Sequence, residues 1–123
     1  LLALARRKFE PARLRNVDFT QADAASSLPF PDAHFDVAML VTVLGEVEDA
    51  TACLRAVYRV LRPGGVLAVH EHVPDPDRIA FAELCAWADA SGFVFARRWG
   101  PDWNYTACFH RPGDPQDASK HRR

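Results

Sequence analysis

His70, Glu71 and His72 are consecutive in a chain of 123 residues and bring two imidazoles and a carboxylate together. In an extended strand, alternate side chains point to the same side, so both imidazoles would share one face. Two imidazoles and a third ligand can hold zinc or iron. No third ligand stands at an informative spacing, so we expect no metal site. We expect instead that Glu71 and His72 border a substrate pocket.

Another carboxylate, Glu46, follows the apolar run at residues 35–44 (FDVAMLVTVL). An acid in such a loop can face a substrate or can simply be solvated, and the sequence leaves both interpretations open. If the substrate must lose a proton, Glu46, Glu71 and His72 are the candidate general bases. The elements around these residues decide where each of them lies.

The apolar run at residues 35–44 predicts a strand that is buried on both faces of a parallel sheet. Asp49 can cap the helix that follows, and Pro63-Gly64-Gly65 ends that helix and turns the chain. A second buried strand is predicted at residues 66–69. The helix between the two strands has apolar side chains at helical spacing, namely Leu54, Val57, Tyr58 and Leu61.

The remaining pattern predicts further elements on both sides of this unit. Residues 1–9 indicate the body of an amphipathic helix, and residues 17–22 indicate a short strand. Residues 93–98 and 105–110 alternate like strands and predict an antiparallel pair at the sheet edge. Before them, a helical stripe that ends at Gly92 consists of Phe81, Leu84, Cys85 and Ala88.

The last predicted hairpin contains a cluster of aromatic and amide side chains, namely Trp99, Trp103, Asn104 and Tyr105. Such a cluster can form a lid or aromatic wall over a site, or it can pack the hairpin itself. Large aromatic side chains contribute strongly to packing, so we favour the packing role.

The composition narrows the class of protein. The formal net charge is −1, and no strong basic field indicates nucleic acid. No apolar run is long enough to cross a bilayer, and no secretory leader is recognisable. Cys53, Cys85 and Cys108 are widely spaced without a CxxC pair, which is typical of reduced thiols. We therefore expect a globular, cytoplasmic protein.

Two motifs identify a family resemblance: LPFPDAHFD at residues 28–36 and RVLRPGG at residues 59–65. Together with the order of turn, strand, helix, turn and strand, they resemble the class I S-adenosylmethionine-dependent methyltransferases. The resemblance is strongest to the branch that methylates small molecules, quinones and lipids. It covers residues 1–112 and leaves residues 113–123 as a polar tail that we expect to be disordered.

The resemblance implies an α/β fold, a Rossmann-like three-layer αβα domain that here lacks the first β-α unit and the second strand. In the family, those missing parts carry the Gly-rich turn and the acid that binds the ribose. RVLRPGG is expected to be structural, as is Asp36 at the strand entry. Glu46 stands where many relatives carry histidine, and could balance the sulfonium charge or bind an amine.

The resemblance also implies a set of residues for the cofactor, S-adenosylmethionine. The carboxylate of Asp23 would accept a hydrogen bond from the adenine amino group, and the backbone N–H of Ala24 would meet a ring nitrogen. Leu28 would lie beside the adenine. Ligands of open α/β sheets bind at the carboxyl ends of strands, so the cofactor would also pass Leu40, Val41 and Leu44.

Several functions stay open at this point. The first is methyl transfer to a small-molecule or lipid acceptor, without nucleic acid and without a membrane span. The second is a truncated or degenerate methyltransferase-like domain that serves as a non-catalytic scaffold or partner-binding module. An exposed sheet edge would then allow self-association. A nucleotide- or NAD-binding module is a weaker interpretation, because the two motifs are not a dehydrogenase pattern.

Overall fold

The computed structural model describes residues 28–45, 47–72 and 79–113. Within them, the chain forms a four-stranded sheet with two helices. In chain order, the elements are β1 (Phe35–Val41), α1 (Ala50–Val60), β2 (Leu61–His72), α2 (Phe81–Ala90), β3 (Val94–Trp99) and β4 (Asn104–His110). None of the helices in the described part is long and apolar enough to cross a membrane.

The strand order is β1-β2-β4-β3, so the last of the described strands lies inside the sheet. β1 and β2 are parallel, and β4 is antiparallel to both of its neighbours. β1, β2 and β3 therefore end at the same edge of the sheet, called here the carboxyl edge. The predicted antiparallel pair is confirmed, but only β3 lies at the sheet margin. Every residue of β3 is exposed, whereas β4 alternates with buried positions.

The two helices cover one face of the sheet. The core under them combines residues of both helices with β2 and β4, including Leu54, Leu84, Leu67, Tyr105 and Phe109. The opposite face, called here the open face, presents large apolar side chains to solvent: Val37, Met39, Val41, Val66, Val94 and Trp99. The core is therefore one-sided within the described residues.

The open face corrects the prediction that the first strand is buried on both sides. Val37 is 59% exposed and Met39 is 67% exposed, so a continuous apolar run produced a strand with one solvent-facing side. The strand also ends earlier than predicted, at Val41. Thr42 has a φ of +52°, which takes the backbone out of the strand and turns Leu44 into the core.

The first helix confirms its predicted start and corrects its predicted end. The carboxylate of Asp49 accepts a hydrogen bond of 3.0 Å from the backbone N–H of Ala52, as an N-cap should. The helix ends at Val60, and Leu61 already begins β2. The Pro-Gly-Gly turn therefore lies inside a long, irregular strand rather than before it.

Within the Pro-Gly-Gly turn, the position of Gly65 has no room for a side chain. A Cβ there would lie 2.8 Å from the carbonyl oxygen of Arg62 and 3.1 Å from that of Asp36. The missing side chain lets β1 and β2 approach each other closely at the amino end of the sheet.

The second helix ends at Ala90, and Gly92 follows it as the stop residue that the sequence predicts. The N–H of Phe93 donates to the carbonyl of Ala88 (3.0 Å) and the N–H of Gly92 donates to that of Asp89 (3.1 Å). With a φ of +99° at Gly92, this is a Schellman motif. It turns the chain directly into β3.

Candidate functional site

The two sequence motifs meet in space, and Arg59 joins them. Its guanidinium donates to the carbonyl oxygens of Leu28 (2.8 Å) and Phe30 (2.9 Å) and to Oδ1 of Asp32 (2.7 Å). Residues 28–34, called here the motif loop, are thereby fixed to the last turn of α1. The contacts to two carbonyls carry more weight than the ion pair, because the Asp32 side chain is 76% exposed.

Backbone contacts continue this junction along the motif loop. The N–H groups of Ala33 and His34 donate to the carbonyls of Arg59 and Val60, at 2.9 and 2.8 Å. These bonds satisfy carbonyl groups at the end of α1 that have no partner within the helix. Arg62 then pairs with Asp36 at 3.0 Å, in agreement with the structural role predicted for Asp36.

An apolar cavity of about 280 Å³ lies between the motif loop, β1 and α1. Two of the predicted cofactor residues, Leu28 and Leu40, line it together. The other lining residues are Phe30, Phe35, Val37, Ala38, Met39, Val57 and Val60. The lining suits a flat, apolar or aromatic group rather than a charged one.

The other predicted cofactor residues are placed differently. Val41 lies on the open face and is 47% exposed. The Leu44 side chain is 1% exposed and belongs to the core, so only its backbone is available to a ligand. Asp23, Ala24 and Glu46 lie outside the described residues.

At the carboxyl edge, four side chains form a row across the open face of all four strands. The strand registers pair Val41 with His70, His70 with Thr106, and Thr106 with Trp99. Directly opposed residues share a face of the sheet, so the row is continuous. Within this edge row, Nδ1 of His70 and Oγ1 of Thr106 are hydrogen bonded at 2.9 Å.

His72 stands beyond the edge row on the same side. The ring centroids of His70 and His72 are 5.3 Å apart, which confirms that the two imidazoles share a face. Nδ1 of His72 is shielded from solvent and has no hydrogen-bond partner among the described residues. A polar atom in that condition costs about 1–3 kcal/mol of folding free energy, so this nitrogen does not stabilise the fold.

Glu71 corrects the prediction that it and His72 border one pocket. Side chains alternate along β2, and Glu71 pairs in register with Tyr105 on the helix-covered face. Glu71 is 1% exposed, and the hydroxyl of Tyr105 donates to the carbonyl of Ile79 at 2.7 Å. Of the two residues, only His72 can belong to a site on the open face. Among the described residues, no three His, Cys, Asp or Glu side chains are grouped to hold a metal ion.

The aromatic residues of the hairpin also lie in two different environments, one buried and one exposed. Tyr105 packs in the core as predicted, whereas Trp99 is 47% exposed and Trp103 is 60% exposed. The packing role is therefore wrong for the two tryptophans. The guanidinium of Arg97 lies 4.5 Å from the centroid of the Trp99 ring and covers one face of it.

Cys53, Cys85 and Cys108, all in the described part of the chain, form no disulfide. Burial raises the pKa of the Cys85 thiol, and the nearby Arg98 opposes this shift. A thiol with a raised pKa is a poor nucleophile, so Cys85 is not a candidate for covalent chemistry.

The sequence patterns did not indicate two of the contacts that position this arrangement. Thr106 reaches His70 only because β4 inserts beside β2, a pairing across 36 positions of sequence. Arg111, just after β4, donates to the carbonyls of Tyr58 (2.9 Å) and Leu61 (2.6 Å) and lies over the Tyr58 ring. Each contact depends on distant strand pairing, for which local periodicity carries no signal.

A protein-family model described as a methyltransferase domain matches residues 1–69, more than half of the chain. Among curated proteins, a ubiquinone/menaquinone biosynthesis C-methyltransferase UbiE from Shewanella frigidimarina is 48% identical over 58 residues. That match covers 47% of this chain and 23% of the relative. A demethylmenaquinone methyltransferase from Thermus thermophilus is 46% identical over 76 residues, covering 62% of this chain and 34% of the relative.

Solved structures resemble the chain over a greater length. An S-adenosylmethionine-dependent methyltransferase from Aquifex aeolicus matches with a TM-score of 0.78 at 18% identity, over 89% of this chain and 63% of that one. The [4+2]-cyclase SpnF matches with a TM-score of 0.77 at 23% identity, over 92% and 64%. At these identities the likeness establishes the fold, which is the expected Rossmann-like one. The matched segments span only about a quarter to a third of the curated relatives' lengths.

Proposed function

Because the chain belongs to the family of methyltransferase domains, we propose that the full-length gene product methylates a hydroquinone with S-adenosylmethionine as the donor. One observation carries the proposal most directly. β1 and β2 are parallel and end at one edge of the sheet, where ligands of open α/β sheets bind. The apolar cavity lies along β1, and the imidazole pair lies at the end of β2.

The lining of the apolar cavity, which runs from the motif loop to Leu40, supports a place for the adenine part of the cofactor at its Leu40 end. Leu28 and Leu40 supply two apolar walls of a cavity of about 280 Å³, and aromatic bases are commonly held between apolar side chains. Asp23 would accept the hydrogen bond of the adenine amino group, and the backbone N–H of Ala24 would meet a ring nitrogen. The backbone beyond Val41, as far as Leu44, would border the methionine part.

S-adenosylmethionine supplies a methyl group on a positively charged sulfur, which is already a reactive donor. The protein residues then have to hold donor and acceptor in line and exclude water, effects worth many orders of magnitude in rate. Arg59 would help to position the donor indirectly, because it fixes the motif loop that carries Leu28. Leu44 would help in the same way, because its buried side chain anchors the loop after β1 in the core.

The choice of a hydroquinone acceptor rests on two supports. The curated relatives act, by their names, in ubiquinone and menaquinone biosynthesis. The carboxyl edge also combines imidazoles with an exposed indole, groups that suit a flat ring with a hydroxyl. A lipid acceptor has no such support in the described residues. The three thiols support the cytoplasmic location expected from the sequence.

Isothermal titration calorimetry of the full-length gene product with S-adenosylmethionine tests this proposal. We expect saturable binding, and we expect Asp23→Ala to weaken it about tenfold or more, the effect of losing a hydrogen bond to a charged group. Asp36→Ala is the matched control, because that carboxylate pairs with Arg62 on the surface and should leave binding unchanged. No binding by the wild type would refute the methyltransferase activity, and equal binding by Asp23→Ala would refute the adenine contact.

The open face favours a second function, in which the chain associates with itself. Val37, Met39 and Val41 form an apolar stripe on β1 that is about half exposed or more. Stripes of this kind often mark interfaces. Light scattering after size exclusion would test this, since a dimer that Met39→Lys converts to a monomer would support self-association. A wild-type monomer at high concentration would exclude it.

A further inference from the structure

The imidazole pair is the feature of the described residues that the family assignment leaves unexplained. His70 and His72 lie on the same side of β2, and His72 is the last residue of that strand. Both side chains are half-buried. Their position is the carboxyl edge, next to the end of the parallel strand β1, whose Val41 pairs in register with His70.

The two imidazoles differ in how they are held. Nδ1 of His70 is engaged by Thr106 at 2.9 Å, which fixes the ring orientation. Nδ1 of His72 has no such partner within the described part of the chain, although solvent does not reach it. An apolar residue at position 72 would avoid this unsatisfied group, so Nδ1 of His72 adds no hydrogen bond to the stability of the fold.

The surroundings of the pair indicate the chemistry of a ligand. The edge row continues from His70 through Thr106 to Trp99, whose indole is 47% exposed. Trp103 in the adjoining turn is also exposed. Trp99 lies two strands away from His70, with Arg97 over one face of its ring, and an exposed indole at that distance can contact the far end of a flat aromatic ring that carries a hydroxyl group. This is the shape of a hydroquinone.

Resting on the proposed methyl transfer, we infer that His72 takes the hydroxyl proton of the hydroquinone acceptor and that His70 is its positioning residue. The acceptor O–H bond breaks, its electron pair stays on oxygen, and the proton binds to the imidazole of His72. The adjacent ring carbon then bonds to the methyl group as the methyl–sulfur bond breaks, with that pair remaining on sulfur. The proton of the methylated carbon moves to the oxygen and restores the aromatic hydroxyl.

Only a neutral imidazole can accept this proton, so the rate should fall on acidification. Among the described residues, the charged or titratable groups on the open face around the pair and towards the amino end come from two neighbouring strands. β4 contributes Cys108 and His110 on the open face, and β3 contributes Arg97. β1 contributes only apolar side chains to this face.

The decisive experiment measures methyl transfer by the full-length gene product to 1,4-naphthohydroquinone, kept reduced with dithionite. We expect His72→Gln to lower kcat about 100-fold or more, which is the usual range for a general base. The acidic limb of the pH–rate profile should disappear in this variant. Thr106→Val, which releases His70, should lower kcat by a factor on the order of ten or less.

His110→Gln is the matched control, because His110 lies on the same face of the sheet but pairs with Val66 at the opposite end. Its kcat should stay within about twofold of wild type. Full activity of His72→Gln would overturn the inference, and so would its loss of cofactor binding in calorimetry, since that result indicates a structural role. A wild type that binds S-adenosylmethionine but does not methylate the hydroquinone would overturn the inference and the proposed acceptor together, whereas full activity of His72→Gln overturns the inference alone. A wild type that does not bind the cofactor would overturn the proposed function as well.

Discussion

The amino end of the β1–β2 pair and its carboxyl edge are built in contrasting ways. At the amino end, the motif loop is held by Arg59 through three side-chain hydrogen bonds, supported by two backbone hydrogen bonds. At the carboxyl edge, the loop after β1 is anchored from below by the buried Leu44, while His72 above it keeps an unpartnered nitrogen. The residues that identify the family thus satisfy their hydrogen bonds within the scaffold, whereas His72 keeps one nitrogen without a partner among the described residues.

Leu44→Ala should have the largest effect on stability. Its side chain is 1% exposed, and truncation of a fully buried leucine costs about 2–5 kcal/mol of unfolding free energy. Urea denaturation would measure this, with Met39→Ala as the control because Met39 is 67% exposed. Similar midpoints for the two variants would mean that the carboxyl edge does not depend on the core.

Arg59→Ala should rank second, with a loss of about 2–3 kcal/mol, because it leaves two carbonyls of the motif loop without their charged donor. Arg62→Ala removes an ion pair whose side chains are 60% and 69% exposed, and should cost less than about 1 kcal/mol. The same denaturation assay separates them. If both arginines proved equally dispensable, the amino end would not be held by hydrogen bonds.

Tyr105→Phe should cost about 1–2 kcal/mol, since it removes a buried donor and leaves the Ile79 carbonyl without that bond. Thermal unfolding followed by circular dichroism is a suitable measurement. Trp103→Phe provides the control, because Trp103 is 60% exposed. An unchanged melting temperature in Tyr105→Phe would show that the helix-covered side of the carboxyl edge is also loosely held.

His72→Leu should have the smallest effect and the opposite sign. Removing an unsatisfied buried nitrogen should leave stability unchanged or raise it by up to about 1 kcal/mol, while methyl transfer is lost. Urea denaturation and methyl-transfer activity, both measured on one preparation of His72→Leu, would test for retained stability together with lost activity. A clear loss of stability would indicate that His72 is part of the scaffold, and the contrast between the two ends would fail.

The sequence predicts most local elements, because their signals lie within a few residues of one another. Asp49 marks the start of α1, and Gly92 marks the end of α2. Local sequence does not predict features that depend on contacts between distant segments. The apolar run at residues 35–44 does not reveal that Thr42 leaves the strand or that one side of β1 faces solvent.

The same limit applies to the candidate site. Alternation placed His70 and His72 on one side, but the partner of His70 depends on where β4 inserts. Glu71 was grouped with His72 because they are adjacent in sequence, and the pleat of the strand separates them. The roles of Asp23, Ala24 and Glu46 stay predictions, because these residues lie outside the described part.

The position of β4 bears on the order in which the molecule can form. β4 separates β2 from β3, although it follows both of them in the chain. On a ribosome adding about 5–20 residues per second, β2 and β3 emerge without the neighbour that each of them requires. The sheet can close only when residues 104–111 arrive, with Arg111 fixing its end to α1. A pause or premature stop there would release a chain with two unpaired strand margins, a natural target for chaperones.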